Sequence, residues 1–293
     1  RTAEGVERPQ AELPSLNRTR RTLRNLSSES SLFGMSDGLS PDARCEVLEP
    51  GLVLIRNALD VPTQVAVAQV AMDRGRDGER GFWTSGGELN SSKACSRGRV
   101  FDAIDTFDAS LPDLCAAAVV KACAVDPLMP PMVATHLLMV YYTAGRGIFW
   151  HRDDAPNDGQ NEHPVVSFSL GNTCSFGLCH QWSWQRMKES SRKIDLRSGD
   201  AILFGGPCRY IHHAVLGVQR GSAPPELAEV LGNTRLNLTF RDAPSVAGLE
   251  DTTYKYYQPP SSVRKPKGPG KRKRADAQEA AGSHEPVADD STQ

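Results

Sequence analysis

Residues 234–241, TRLNLTFR, constrain this chain more than any other stretch. Leu236, Leu238 and Phe240 alternate strictly with Arg235, Asn237, Thr239 and Arg241, the period of a β-strand with one face in a core. The other face carries two arginines and an amide. It either lies in water or turns inward to meet an anion, because a buried unpaired charge is heavily penalised. On an extended strand Arg235 and Arg241 lie about 20 Å apart at ~3.3 Å per residue. Both reach one small ligand only if the strand twists and the long side chains lean inward.

His151-Arg152-Asp153 and, further on, His212-His213 supply matching chemistry. On a strand, His151 and Asp153 project from the same face and can reach one metal ion. Two histidines and one carboxylate make the facial triad of non-haem Fe(II) oxygenases, which leaves positions open for oxygen and a co-substrate. The residues alone leave open which of His212 and His213 completes the set. A dicarboxylate co-substrate needs a cationic anchor, and a guanidinium is a planar, permanently charged fork for carboxylates.

These segments, together with residues 165–171 (VVSFSLG), Ser198-Gly199-Asp200, Gly205-Gly206 and Arg209, resemble the AlkB family. Its members are Fe(II)- and 2-oxoglutarate-dependent dioxygenases that oxidatively dealkylate nucleic-acid bases. The likeness begins at residues 48–54 (LEPGLVL), continues through Gly81-Phe82-Trp83-Thr84 and Tyr142-Thr143-Ala144-Gly145, and ends near Ala243. The resemblance implies His151, Asp153 and His213 as catalytic metal ligands, His213 following from the count from Gly205-Gly206. It implies that Arg235 pairs with the distal carboxylate of 2-oxoglutarate, helped by Tyr142, with Asn237 and Arg241 near the chelating carboxylate. Trp83 stands where the family places a base-stacking aromatic. Trp83 and Phe101, in an Arg- and Gly-rich stretch suited to gripping nucleic acid, are the candidate substrate-binding residues.

Two positions depart from the family enzyme. Val140 replaces an asparagine two residues before the tyrosine, and Ala155 replaces an acidic residue two positions after the metal-binding aspartate, with Asp154 adjacent. The implied function is oxidative demethylation of N-alkylated bases in DNA or RNA, releasing formaldehyde, succinate and CO2, with Fe(II), 2-oxoglutarate and O2 as cofactors. A protein or small-molecule hydroxylase on the same fold is the alternative. A non-enzymatic nucleic-acid reader fits less well, because every metal and co-substrate residue is present. A metal site left open for co-substrate adds little to packing, so Ala at His151 or Asp153 is expected to leave the fold intact.

From Cys45 onward the pattern becomes regular. It predicts a strand over 52–56, helices over about 62–72 and 111–124, and short strands over 136–143, 147–152, 164–170, 172–177, 192–196, 200–204, 209–216 and 234–241. The fold class is mainly β with flanking helices (α+β), an antiparallel sandwich or jelly roll. The resemblance specifies a double-stranded β-helix with helices packed on one side. The expected domain spans 45–245, with a lid at about 74–108 and a core at about 136–243.

The ends are different in character. Residues 1–44 are rich in Arg, Ser and Pro, and 246–293 carry seven basic side chains within 264–274 (RKPKGPGKRKR); both are expected to be disordered. The basic block suits a nuclear-import signal or a phosphate contact, so nucleus and/or cytoplasm is the expected location. The chain begins at Arg1 rather than Met, and targeting is not readable from that end. Seven cysteines form no CxxC pair, and the net charge of −1 announces no global basic field. No apolar run is long enough to cross a membrane. Alkylated DNA or RNA is the expected partner of a monomer.

Overall fold

A computed structural model describes residues 38–76, 81–83, 86–89, 97–143, 147–153, 161–181 and 191–242. The two terminal extensions, the basic block, Thr84, Ala144, Gly145, Asp154, Ala155 and Ala243 lie outside the described residues.

The chain opens with β1 (Arg44–Glu49) and β2 (Leu52–Arg56), paired antiparallel. Helix α1 (Val61–Gly75) follows, with the Asp60 carboxylate accepting from the Thr63 N–H at 2.9 Å and Pro62 in the first turn, where its missing donor costs nothing. After β3 (Arg97–Ala103) comes α2 (Ser110–Val125). The remaining elements are β4 (His136–Tyr142), β5 (Ile148–His151), β6 (Val165–Gly171), β7 (Cys174–Cys179), β8 (Arg192–Leu196), β9 (Ala201–Phe204), β10 (His212–Val218), α3 (Pro225–Leu231) and β11 (Arg235–Arg241).

Two antiparallel sheets result. The larger runs β1-β2-β9-β6-β11-β4-β3 and the smaller runs β5-β10-β7-β8. β11 lies inside the larger sheet, with Arg235–Arg241 in continuous register against β4 and Arg235–Phe240 against β6. All seven of its residues are buried. Leu236, Leu238 and Phe240 join a core shared with α1 (Val67, Ala68, Ala71) and α2 (Leu114, Ala118, Ala122). The opposite face of this sheet meets the small sheet through Leu54, Leu138, Val140, Phe176, Phe204 and Val215. The polar face of β11 therefore turns into the gap between the sheets and not into water. This is the jelly-roll architecture, with the helices against one sheet.

Where the structure departs from the sequence expectations, the reasons are local. β3 forms within the stretch read as a loop-like lid: it is an Arg- and Gly-rich edge strand, paired on one side with β4. β1 is another edge strand, half-exposed along its length, so it has no apolar face to read. The strand expected over 209–216 starts later, because Cys208, Arg209 and Ile211 each donate to a carbonyl three residues back and keep the chain in tight turns. α3 has only seven residues, too few for a helical period to stand out. The Ser198-Gly199-Asp200 motif proves to be a turn: Gly199 takes φ +84°, and the buried Asp200 carboxylate binds the N–H groups of Asn57 and Arg197 and the Arg56 guanidinium at 2.7 Å.

Leu238, 1% exposed, is packed between the sheet and the helices. Leu238→Ala is expected to destabilise the protein by about 2–5 kcal/mol, read as a lower midpoint in urea unfolding at unchanged slope. A change within the error of the measurement would mean that the helix side of β11 is not a packed core.

Candidate metal centre

Three side chains converge at one end of the gap between the sheets. His151 ends β5, Asp153 follows it, and His213 stands directly opposite His151 in the β5–β10 register. One ligand atom from each lies within 4.8 Å of the others. Asp153 Oδ1 is 3.7 Å from His151 Nε2 and 3.8 Å from His213 Nε2, so one carboxylate oxygen faces both ring nitrogens.

The hydrogen bonds around the triad decide what these atoms offer. His151 Nδ1 donates to the Phe149 carbonyl at 2.8 Å and His213 Nδ1 to the Ile211 carbonyl at 3.1 Å. A carbonyl only accepts, so each ring carries its proton on Nδ1 and presents the Nε2 lone pair inward, the tautomer that binds a metal. Asp153 Oδ2 is held by Arg241 Nη2 at 2.8 Å, and Arg209 Nη1 donates to the Asp153 backbone carbonyl at 2.6 Å. Phe176 and Phe204 flank the His213 ring at 5.5 and 4.9 Å between centroids.

The electrostatics agree. Burial, reinforced by the neighbouring His213, pushes His151 down to about 3. Burial likewise lowers His213. For Asp153, burial pulls the carboxyl upward, but the Arg241 guanidinium, with His213, His151 and Arg209, overrides it and holds the group below the ordinary carboxylate range. Neutral imidazoles beside an ionised carboxylate are the state in which a divalent metal is bound. The donor set therefore fits Fe(II).

The cavity continues along β11, lined by Leu138, Val140, Tyr142, Ser167, Arg235, Asn237 and Thr239 among others. Arg235 lies at its other end, 1% exposed. Its Nη2 donates to Ser169 Oγ at 2.8 Å and its Nη1 reaches the Asn172 carbonyl at 3.4 Å. Its Nε has no hydrogen-bond partner, and no carboxylate pairs with it among the described residues. The guanidinium carbon sits 5.9 Å from the Tyr142 ring centre. A buried cation with an idle donor, facing a cavity, is the fit expected for an anionic co-substrate.

The two arginines of β11 thus have different surroundings, Arg241 at the triad and Arg235 at the far end. Asn237 is committed internally: its Nδ2 donates to Ser167 Oγ and the Phe168 carbonyl at 2.8 and 2.9 Å, and its Oδ1 accepts from Thr239 at 2.7 Å. Val140, opposite Asn237, lines the cavity as an apolar residue. His212 is not among the triad. Trp83 and Phe101 are not among the cavity's lining residues: the indole packs on Tyr141 and Phe82 at 5.0 and 5.6 Å, and Phe101 stacks on His136 at 5.2 Å. The sequence reading gave Ser167, Ser169, Thr239 and Arg209 no role at the site. The strict alternation of Ser167 and Ser169 with Val166, Phe168 and Leu170 was the available signal for the two serines.

A buried ion pair bears on the expectation that Ala at Asp153 leaves the fold intact. Asp153 and Arg241 are both buried and paired, so Asp153→Ala removes one member of a buried ion pair. It is expected to destabilise the protein by about 3–5 kcal/mol, read by urea unfolding, whereas His151→Ala is expected to cost much less. Equal stabilities would mean that the ion pair is not formed. For the adjacent histidines, His213→Ala is expected to weaken Fe(II) binding on the order of a hundredfold or more, at 1.4 kcal/mol per decade, and His212→Ala to leave it unchanged in anaerobic titration.

Comparison with known proteins agrees with this geometry. The family model described as the 2OG-Fe(II) oxygenase superfamily matches residues 93–241, half of the chain. The chain is 28% identical over 229 residues to DNA N(6)-methyladenine demethylase ALKBH1C of Arabidopsis thaliana, covering 67% of this chain and 49% of the relative. It is 34% identical over 119 residues to the alpha-ketoglutarate-dependent dioxygenase AlkB homolog of Caulobacter vibrioides, covering 40% and 48%. The solved structure of OsALKBH1 matches with a TM-score of 0.57 at 25% identity, covering 67% of this chain and 100% of that one. The chain spans about half the length of the curated relatives it matches. With a His-Asp-His triad between two antiparallel sheets, the chain belongs to the 2OG-Fe(II) oxygenase superfamily, as an AlkB-type member.

Proposed function

We propose that this chain is an Fe(II)- and 2-oxoglutarate-dependent dioxygenase that removes N-alkyl groups from nucleic-acid bases, with N6-methyladenine the first substrate to try. The observation that carries the reading is a pair of complementary sites in one cavity. Three metal-ready donors sit at one end, and the uncompensated Arg235 guanidinium sits at the other. The name of the Arabidopsis relative supports the choice of base.

His151, Asp153 and His213 would hold Fe(II) through Nε2, Oδ1 and Nε2. Bound there, iron supplies oxygen activation at the expense of 2-oxoglutarate, which leaves as succinate and CO2 while the N-methyl carbon is hydroxylated and lost as formaldehyde. Arg235 binds the distal carboxylate with its free Nε, and Ser169 fixes the guanidinium plane so that the fork is preorganised. Tyr142 walls the same end of the cavity. Arg241 fixes the Asp153 carboxylate so that Oδ1 faces the metal position, and Arg209 fixes its backbone. Leu138, Val140, Phe176, Phe204 and Val215 keep the interior apolar and exclude water from the reacting carbon.

The test incubates the full chain with Fe(II), 2-oxoglutarate and oligonucleotides bearing N6-methyladenine or other N-methylated bases, with formaldehyde as readout. Formaldehyde coupled to succinate on at least one methylated oligonucleotide is expected. Arg235→Lys is expected to raise the 2-oxoglutarate concentration needed by about tenfold or more, with the oligonucleotide requirement little changed, because a lysine keeps the charge and loses the two-pronged contact. Succinate release that no oligonucleotide stimulates would overturn the nucleic-acid reading and favour a protein or small-molecule substrate. An unchanged 2-oxoglutarate requirement in Arg235→Lys would overturn the anchor.

A further inference from the structure

We propose that Glu49, His180 and Cys208 form a second metal site, separate from the triad and built for Zn(II). The three residues come from distant parts of the chain: the end of β1, the residue after β7, and the short turn Gly206–Cys208 that precedes β10. One ligand atom from each lies within 4.8 Å of the others. A thiol, an imidazole and a carboxylate are the ligand types of zinc sites, and the thiolate selects against magnesium and calcium.

The surroundings favour a cation. His180 Nε2 meets Glu49 Oε2 at 2.7 Å, and the Cys208 thiol, 2% exposed, points to the Pro50 carbonyl at 3.3 Å. Asp126 is not a ligand in this arrangement, since its two oxygens accept from the Gly51 and Leu128 N–H groups at 2.6 and 2.9 Å. On binding, the thiol proton leaves to solvent and sulfur, Nε2 and the carboxylate close around the ion, with the second carboxylate oxygen or a water in the fourth position. Donors sharing one zinc at ~2.0–2.1 Å cannot stay at hydrogen-bond distance. His180, whose side chain is 54% exposed, has the freedom to swing away by the small amount required.

Cys208 and Pro50 belong to two turns that are already pressed together. Gly51 takes φ +84°, and a Cβ there would run into the Gly205 carbonyl and come within 3.1 Å of the Cys208 nitrogen. A metal across this junction would tie β1 and β7 to the turn whose next residue, Arg209, holds the backbone of Asp153.

Cobalt(II) titration of the full chain tests this, because the His-Asp-His triad holds no sulfur. A thiolate-to-cobalt charge-transfer band in the near ultraviolet is expected, displaced by Zn(II) and absent in Cys208→Ala. His180→Ala, a change at an exposed side chain that keeps the fold testable, is expected to weaken the affinity behind that band about tenfold or more. No charge-transfer band, a band that survives Cys208→Ala, or an affinity unaffected by His180→Ala would each overturn the site and leave an ion pair beside a buried free thiol.

Discussion

The Arg241–Asp153 ion pair joins the two sheets at the point where the chemistry is placed. Arg241 closes β11 in the large sheet, and Asp153 follows β5 in the small one, with 2.8 Å between Nη2 and Oδ2. Because one carboxylate oxygen is occupied by the guanidinium, the other is left facing the two histidines. The Asp153 backbone is fixed independently by Arg209. Without the pair, the carboxylate could rotate and the triad would lose its shared direction. Both partners are buried, so the interaction carries a desolvation cost that an apolar pair would avoid. Its retention is intelligible as orientation of a metal ligand.

Arg235 presents the complementary case. It is buried like Arg241, but among the described residues its guanidinium meets only neutral groups, Ser169, the Asn172 carbonyl and the Tyr142 ring, and its Nε is idle. A packed core does not keep such a group without compensation. The compensation proposed here is a carboxylate of the co-substrate. β11 thereby serves two opposed environments along seven residues: its apolar side holds α1 and α2 against the sheet, and its polar side carries both the orienting and the anchoring cation.

Much of this was legible in the sequence, for physical reasons. Strands whose alternation is forced by burial on two different faces, such as 234–241 and 164–170, were read nearly to the residue, as were 52–56 and 192–196. The HxD spacing pointed to His151 and Asp153 as a pair, since a two-residue period on an extended chain leaves one shared face; β5 ends at His151 and Asp153 follows it. The two edge strands of the larger sheet, β1 and β3, were missed, because each is paired on one side and lacks a continuous apolar face. The partner of Arg241 was also invisible, since nothing local says that residues 88 apart in sequence meet. The distinction between His212 and His213 depended on the start of β10, which the tight turns at Cys208–Ile211 shift from the expected position. Trp83 carried an aromatic signal that does not distinguish a base platform from a packed side chain; its contacts with Phe82 and Tyr141 account for its half-buried state.

In the proposed arrangement, one cavity holds a divalent metal at the triad and a dicarboxylate against Arg235. Calorimetric titration of 2-oxoglutarate into the full chain, loaded with redox-inert Mn(II) and compared with Arg235→Met, tests it most directly. One equivalent is expected to bind to the unaltered protein, with an affinity lower by about a hundredfold in the variant, some 2.8 kcal/mol, and Mn(II) binding retained. No 2-oxoglutarate binding to the Mn(II)-loaded protein, or equal affinity in the variant, would contradict it.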